Sequence, residues 1–369
     1  SRGDAWIERV NMPKICLQQS IIADYRMGLF LLLKQEWGED FQIYAGDADF
    51  GGSPVSTAAA WEHFQHVDNI YLLGGRFLWQ KGCFRSLLSA DVAILNGNLR
   101  MLSNNLLLLL RKCLGRRTVL WGHAGGRSGF ALVLRGAYLR LCDGFIAYTE
   151  SQAMVLRKRY PWLKVWVAPN SCVSAKDCKP VEAQKEEVDS VLYVGRLVEK
   201  KKVRLLLEGF IYAYKQALLP PLFRLVFVGD GAERASLEQR ARAVGLERHV
   251  EFAGHVSHVA TLREYYRRAV CTVSPGYVGL SATQSFSFGV PMLVARDEFH
   301  SPEIEACKEG FNMEFFDSND PQSLAKTLQQ MVAQKENDLL NREKVSEWTA
   351  SRYSFEVMHN AFVNAVEER

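Results

Sequence analysis

The segment "SVLYVGRLVEKKKVRLLLEGF" (residues 190–210) places Arg196 and three consecutive lysines, Lys200, Lys201 and Lys202, between a short apolar run and a helix-spaced one. "VLYVG" is rich in β-branched and aromatic residues and ends at Gly195, and "VRLLLEGFIYAY" carries apolar residues at helical spacing. The pattern predicts strand, turn, helix. Cations at a helix start oppose the macrodipole, which favours Asp and Glu there. A phosphate-rich ligand at this turn would account for them. The positive helix end, a forked guanidinium from Arg196 and the point charge of a lysine would act on one anionic group. A solvated basic turn is the plain alternative.

A second segment suits the same chemistry. In "TVSPGYVGLSATQSFSFGVPML" (residues 272–293), Pro275, Gly276 and Gly279 make an open turn. The helix expected from Ser281 offers first-turn N–H groups and the hydroxyls of Ser281 and Thr283 to an anion, and Gly289 and Pro291 end it. Between the two segments, residues 223–257 read as a buried strand, a Gly-Asp-Gly turn at 229–231, an amphipathic helix and a strand closing at Gly254.

These turns need strands to hold them, and the chain alternates strand and helix patterns twice over. Strands are expected near 14–17, 41–44, 91–95, 118–122, 144–147 and 165–168, then near 190–194, 224–228, 250–253, 269–273, 291–295 and, weakly, 312–316. Such alternation argues for parallel sheets covered on both faces, an α/β architecture of two doubly wound domains facing each other across a cleft. A length of 369 residues fits two domains, and 48% hydrophobic residues can fill two cores. The boundaries expected are 1–173 for the first domain, 174–189 for a polar linker and 190–354 for the second. Ligands of such sheets bind beyond the carboxyl ends of the strands, where Lys200–Lys202 would lie.

The net charge of +4 conceals an asymmetry: residues 1–180 hold 22 Lys and Arg against 14 Asp and Glu, residues 181–369 hold 23 against 27. Between 76 and 117, Arg76, Lys81, Arg85, Arg100, Arg111, Lys112, Arg116 and Arg117 meet one acid, Asp91, with Leu78, Trp79, Phe84, Leu87 and Leu88 interleaved. This mixture suits an anionic membrane surface or a lipid-linked substrate, against the plain reading of a solvated face over a core. No apolar run reaches the roughly 18 residues of a membrane span. No targeting signal is read at the start. The eight cysteines form no CxxC pair or metal-ligand spacing, which fits a reducing cytoplasm. Little beyond the local basic stretch favours nucleic acid. No GxGxxG opens the first βα unit, which argues against a dinucleotide-binding dehydrogenase.

Taken in order, GRLxxxK (Gly195 to Lys201), VGDG (228–231), FAGHV (252–256), SPGYxGLSxxQSxxxGVPxL (274–293) and SPE (301–303) resemble the donor domain of the retaining glycosyltransferases of family 4, glycosyl transferases group 1, with the GT-B fold. In the first half, "YRMGLF" (25–30) looks like that family's glycine loop and "WGHAGG" (121–126) like its histidine segment. "DGFIAYTESQAMVLRKRYP" and "VWVAPNSCV" look like its last acceptor-domain strands, with Asn170-Ser171 in place of Asn-Gly.

The resemblance implies transfer of a sugar, with retention, from a nucleoside diphosphate donor, UDP or GDP, to a lipid-linked or polysaccharide acceptor. The setting implied is bacterial surface polysaccharide synthesis, lipopolysaccharide, capsule or exopolysaccharide, in the cytoplasm or at the inner face of its membrane. Arg196 and Lys201 would bind the diphosphate and stabilise its departure. His123 would contact the donor sugar or its developing charge, against the plain reading of a structural histidine. Gly28 would allow backbone approach to the phosphate. Gly195, Gly229, Gly279, Leu280 and Ser281 would line the donor, with His255 and Val256 near the nucleobase. No metal is implied, and no cofactor beyond the nucleotide sugar. The C-terminal helix, from about 355, would pack back on the first domain.

The sequence departs from the family where two glutamates eight positions apart are usual: Gly276 and Gln284 stand there, and Lys202 stands where Gly is common. Gln284 keeps hydrogen-bonding capacity for ribose hydroxyls. Glu303 is a candidate replacement carboxylate, or simply a helix-start acid. The lost carboxylate keeps two other readings open, a non-catalytic scaffold of this fold and a nucleotide-sugar epimerase. The epimerase would need carboxylates and histidines for proton transfer that the sequence does not convincingly supply.

Overall fold

The computed structural model describes residues 13–50, 64–123 and 135–368. The chain divides into two units, one ending at Pro169 and resuming at Phe355, the other spanning Asn170–Ser354. The first is built on seven parallel strands: β1 (Ile15–Ile21), β2 (Phe41–Gly46), β3 (Gln65–His66), β6 (Val92–Asn96), β7 (Arg117–Gly122), β8 (Gly144–Ala147) and β9 (Val165–Val167), in the order β3-β2-β1-β6-β7-β8-β9. A hairpin of β4 (Asp68–Leu72) and β5 (Phe77–Lys81) stands apart from this sheet. β1 is buried along its whole length, as a central parallel strand covered on both faces must be. It pairs with β2 through Ile15↔Phe41 and with β6 through Ile15↔Val92. The strand order reverses across β1, which opens a crevice beyond its carboxyl end.

The second unit repeats the plan with six parallel strands, β10 (Ser190–Val194), β11 (Arg224–Val228), β12 (Val250–Gly254), β13 (Ala269–Ser274), β14 (Met292–Ala295) and β15 (Met313–Phe316), in the order β12-β11-β10-β13-β14-β15. Here the reversal lies at β10, between β11 and β13. All twelve strands expected from the sequence are present. The hairpin and the short edge strand β3 were not expected. Yet "LLGGRF" carries the hairpin's signal, two glycines between apolar runs, and Leu73, Gly74 and Gly75 all turn with positive φ (50°, 66° and 82°).

Two organisational expectations need correction. Residues 174–189 are not a free linker. Val181 and Val188 are buried in the second unit, Arg342 donates to the Val181 carbonyl at 3.0 Å, and Glu187 pairs with Arg267 at 2.9 Å. Apolar residues inside a charged stretch gave it this anchoring. Gly28 lies in the first turn of the Met27–Trp37 helix, where an added Cβ would fall 2.2 Å from the Phe355 ring. Its missing side chain makes room for the C-terminal helix, Phe355–Glu367, rather than for a ligand. That helix sinks Met358 and Phe362 fully into the first unit's core, and the Phe362 ring meets Trp121 edge-on at 4.8 Å.

Gly28→Ala gains up to about 1 kcal/mol of helix propensity and loses about 1–3 kcal/mol to overpacking. The variant is therefore expected to melt a few degrees lower, with Gly28→Ala/Phe355→Leu recovering the loss in calorimetry. A higher melting temperature for the single variant would refute this packing account.

Candidate functional site

In the second unit the turns after β10, β11 and β13 are fastened backbone to backbone. Leu197 N–H donates to the Asp230 carbonyl and Gly195 N–H to that of Val228, both at 2.9 Å. At Gly229, whose φ is 139°, a Cβ would lie 1.9 Å from the Gly195 carbonyl oxygen. At Gly276 a Cβ would lie 2.9 Å from the Lys200 carbonyl oxygen and 3.0–3.1 Å from the Lys201 carbonyl group. The carboxylate missing at 276 is thus displaced by the chain that carries the lysines.

The three lysines have three different positions. Lys200 is exposed. Lys202 takes a left-handed conformation (φ 53°) that favours glycine, and its Nζ is tied to Glu298 and, at 2.8 Å, to Asn319. It straps the turn to the loops after β14 and β15. Lys201 folds inward: its Nζ donates to the Tyr277 carbonyl at 3.2 Å, lies 3.5 Å from the centre of the Tyr277 ring and comes within 3.5 Å of a Cβ built on Gly279. Burial, then the charge of Arg196, lowers its amine from 10.5 to about 8, with Lys200 adding to this and Glu303 opposing it. Arg196 is exposed at the same strand end.

Around this pair the remaining candidates are held in distinct ways. Gly279, Leu280 and Ser281 are half-buried in the turn leading to the Ser281–Ser287 helix. Thr283 does not offer its hydroxyl outward: it is fully buried and donates to the Leu280 carbonyl at 3.0 Å. Gln284 is half-buried, and its Oε1 accepts from the Tyr266 hydroxyl at 3.2 Å. Glu303 is only 6% exposed; one oxygen accepts from Asn170 at 2.7 Å, and the other is buried with no hydrogen-bond partner among the described residues. His255 is exposed beyond β12, and Val256 packs on the cluster around Leu192 and Val226. His300, unremarked as a positioning residue in the sequence, accepts the Val278 N–H on Nδ1 and bonds the Ala295 carbonyl through Nε2, both at 3.0 Å. It pins the turn that carries Tyr277.

The first unit holds a separate cavity of about 510 Å³ at its own strand-order reversal, beyond the carboxyl ends of β1, β6 and β7. Its lining includes Gln19, Ser20, Asp49, Asn96, Gly97 and Asn98 together with Arg26, His123, Arg135 and Tyr148. The His123 ring is 4.6 Å from that of Tyr148, and its carbonyl accepts from Arg135. Partial desolvation, then the charges of Arg26 and Arg135, pushes the imidazole of His123, which is exposed, below its usual value. Arg26 lies 4.8 Å from the Trp121 ring centre and donates to the Tyr148 hydroxyl at 3.1 Å. The rest of the expected histidine segment, 124–126, lies outside the described residues. Arg26, Arg135 and Gln19 were missed in the sequence, although Arg26 sits inside the "YRMGLF" motif.

Lys201 supplies a pH test. Between about 8 and 10.5 the unfolded chain holds a proton on this amine that the folded chain has released, so its contribution to stability rises with pH across that window. Lys201→Met is expected to melt a few degrees above the native protein at pH 7, with the gap closing as the pH passes through that window. A gap independent of pH in calorimetry would mean that the amine is not strained.

Comparison with known proteins bears on both units. Residues 175–347 match the family model described as Glycosyl transferases group 1. The chain is 27% identical over 181 residues to the lipopolysaccharide core biosynthesis glycosyltransferase LpsE of Rhizobium meliloti (strain 1021), which is 48% of this chain and about half (50%) the length of that relative. Among solved structures, Anabaena HepE in complex with UDP superimposes with a TM-score of 0.68 at 14% identity, over 96% of this chain and 99% of that one. The apo lipopolysaccharide outer core galactosyltransferase WaaB superimposes with 0.67 at 16%, over 96% and 99%. The two doubly wound units have the GT-B fold. The stretch that matches the group 1 model, residues 175–347, lies within the unit spanning Asn170–Ser354.

Proposed function

We propose that this glycosyltransferase is a retaining, metal-independent enzyme that moves a sugar from a nucleoside diphosphate sugar, UDP before GDP, to a lipid-linked or polysaccharide acceptor in bacterial surface polysaccharide synthesis. The observation that carries the reading is the Lys201 amine, desolvated beside Arg196 at the strand-order reversal of a group 1 domain. A site that holds cations unfavourably when empty gains most when an anion arrives. As the sugar–phosphate bond breaks, charge collects on the β-phosphate while the sugar becomes oxocarbenium-like. Cations fixed beforehand lower that barrier without reorganising. The likeness to HepE, which was solved with UDP, supports UDP as the nucleotide, and the likenesses to LpsE and WaaB support a lipopolysaccharide-type acceptor.

His123 is assigned to the donor sugar. Gly195, Gly229, Gly279, Leu280, Ser281 and Gln284 are assigned to the diphosphate and ribose, and His255 and Val256 to the base. Gln284 keeps its amide nitrogen for this, since its oxygen serves Tyr266. No helix of the described residues is long and apolar enough to cross a membrane. Peripheral membrane attachment is assigned to the hairpin tip, where Ile70, Tyr71, Leu72 and Leu73 are exposed next to Arg76 and Arg100.

Incubation with UDP-, GDP- and ADP-sugars without acceptor is expected to raise the melting temperature with one donor, because ligand binds only the native state, and to release its nucleotide slowly. Arg196→Ala and Lys201→Ala should each lower that release by about 10²–10³-fold. A folded protein that responds to no donor would sink the reading. Donor binding without release, in the presence of acceptor lipid extracts, would favour a non-catalytic scaffold, which the missing carboxylate at Gly276 keeps in play.

A further inference from the structure

The first unit's cavity is lined by more than a neutral sugar needs. Neutral sugars are held by amides, hydroxyls and aromatic faces, and Gln19, Ser20, Asn96 and Tyr148 supply these. Two guanidinium groups, Arg26 and Arg135, line the same 510 Å³, and Arg135 is only 7% exposed. Among the described residues a carboxylate lines it as well, that of Asp49, which accepts from Ser20 at 3.0 Å. Gln19 is 4% exposed, and its amide nitrogen is a buried donor with no hydrogen-bond partner among the described residues. A buried donor left in this state marks a place where an acceptor oxygen is expected.

A buried amide network holds the backbone that carries this donor, and Asn96 donates to the Gln19 side-chain oxygen at 3.5 Å. Gln80 donates to the Gln19 carbonyl at 2.9 Å and to Asn69 at 2.7 Å, while Asn69 donates to the Ser20 carbonyl at 2.9 Å and Asn104 to Gln18 at 2.7 Å. The end of β1 is therefore a rigid polar wall.

We propose that this cavity binds an acidic sugar, a sugar unit carrying a carboxylate or a phosphate, with the anionic group on Arg26 and Arg135 and a ring or hydroxyl oxygen on the Gln19 amide. A planar guanidinium suits either anion through paired hydrogen bonds. This deepens the reading of the chain as a glycosyltransferase by naming the class of its acceptor, and it rests on that reading only for the word acceptor.

The test measures binding of four probes to the full chain by calorimetry and saturation-transfer NMR: glucuronate, glucose 6-phosphate, glucose and inorganic phosphate. UDP is titrated separately. One or both acidic sugars are expected to bind at least about tenfold more tightly than glucose, and the better of the two identifies the anion. Arg26→Gln and Gln19→Met, each checked for native melting, should lose that preference and leave UDP binding unchanged. Equal binding of glucose, binding of inorganic phosphate as tight as that of the acidic sugars, or an unaltered preference in both folded variants would overturn the proposal. Loss of UDP affinity in Arg26→Gln would overturn it too, by assigning the cavity to the donor. Acidic-sugar binding in a protein that binds no nucleotide would uphold the cavity and refute the donor reading alone.

Discussion

The second unit depends on main chain lying against main chain where its strands end. Gly229 sits so close to the Gly195 carbonyl that a Cβ there would be 1.9 Å from it, and a Cβ on Gly276 would lie 2.9 Å from the Lys200 carbonyl oxygen. With the Leu197–Asp230 hydrogen bond, these contacts stitch the turns after β10, β11 and β13 into one layer. Side chains cannot enter that layer, so the chemistry it presents comes from what leans over it. Lys201 is what leans over it, seated on Tyr277 and against Gly279. The departure at Gly276 and the run of lysines, which look unrelated in sequence, are two sides of one steric constraint.

The same layer explains why Lys201 is electrostatically uneasy. Folding inward costs the ammonium its water, and Arg196 is near enough to add repulsion, while Glu303 offsets only part of this. Glu303 is itself held away by Asn170 and keeps one buried oxygen without a hydrogen-bond partner among the described residues. Among the described residues Glu303 thus acts on Lys201 through its charge and not through an ion pair. A permanent salt bridge would have quenched the cation. Residual strain of this kind is what an anionic ligand relieves on binding, and it is stored on a backbone too closely packed to relax.

Much of this was legible in the sequence because it follows from short-range rules. Parallel strands buried on both faces read as apolar runs, and all twelve were found that way. The turn glycines and the placement of Arg196 and Lys201 at a strand end followed from the same reading. Long-range packing was not legible. Gly28 looked like a ligand-facing glycine because nothing local shows that Phe355 arrives 327 positions later. The buried valines at 181 and 188 were hidden by the charged residues around them. Thr283 looked available to a ligand until its hydroxyl turned inward to Leu280. Gln19 gave no signal, since an amide inside a buried strand announces neither its partners nor their absence.

Charge counting shows the same limit. The basic stretch from Arg76 to Arg117 reads as one surface, yet its members are spread between surface and interior. Arg111 is fully buried and donates to the carbonyls of Leu87, Leu88 and Ala90 and to the Thr118 hydroxyl. Arg100 closes the hairpin through the Gly75 and Arg76 carbonyls, and Arg117 reaches the Ala365 and Glu368 carbonyls at the end of the C-terminal helix. Guanidinium groups used this way cap loose carbonyls while keeping their charge, so the net charge of a stretch is a poor map of what it touches. The arginines that line the first unit's cavity, Arg26 and Arg135, lie outside the stretch altogether. What separates them from the rest is topology: both stand where the strand order reverses, the one place in a doubly wound sheet where the fold itself leaves room for a ligand.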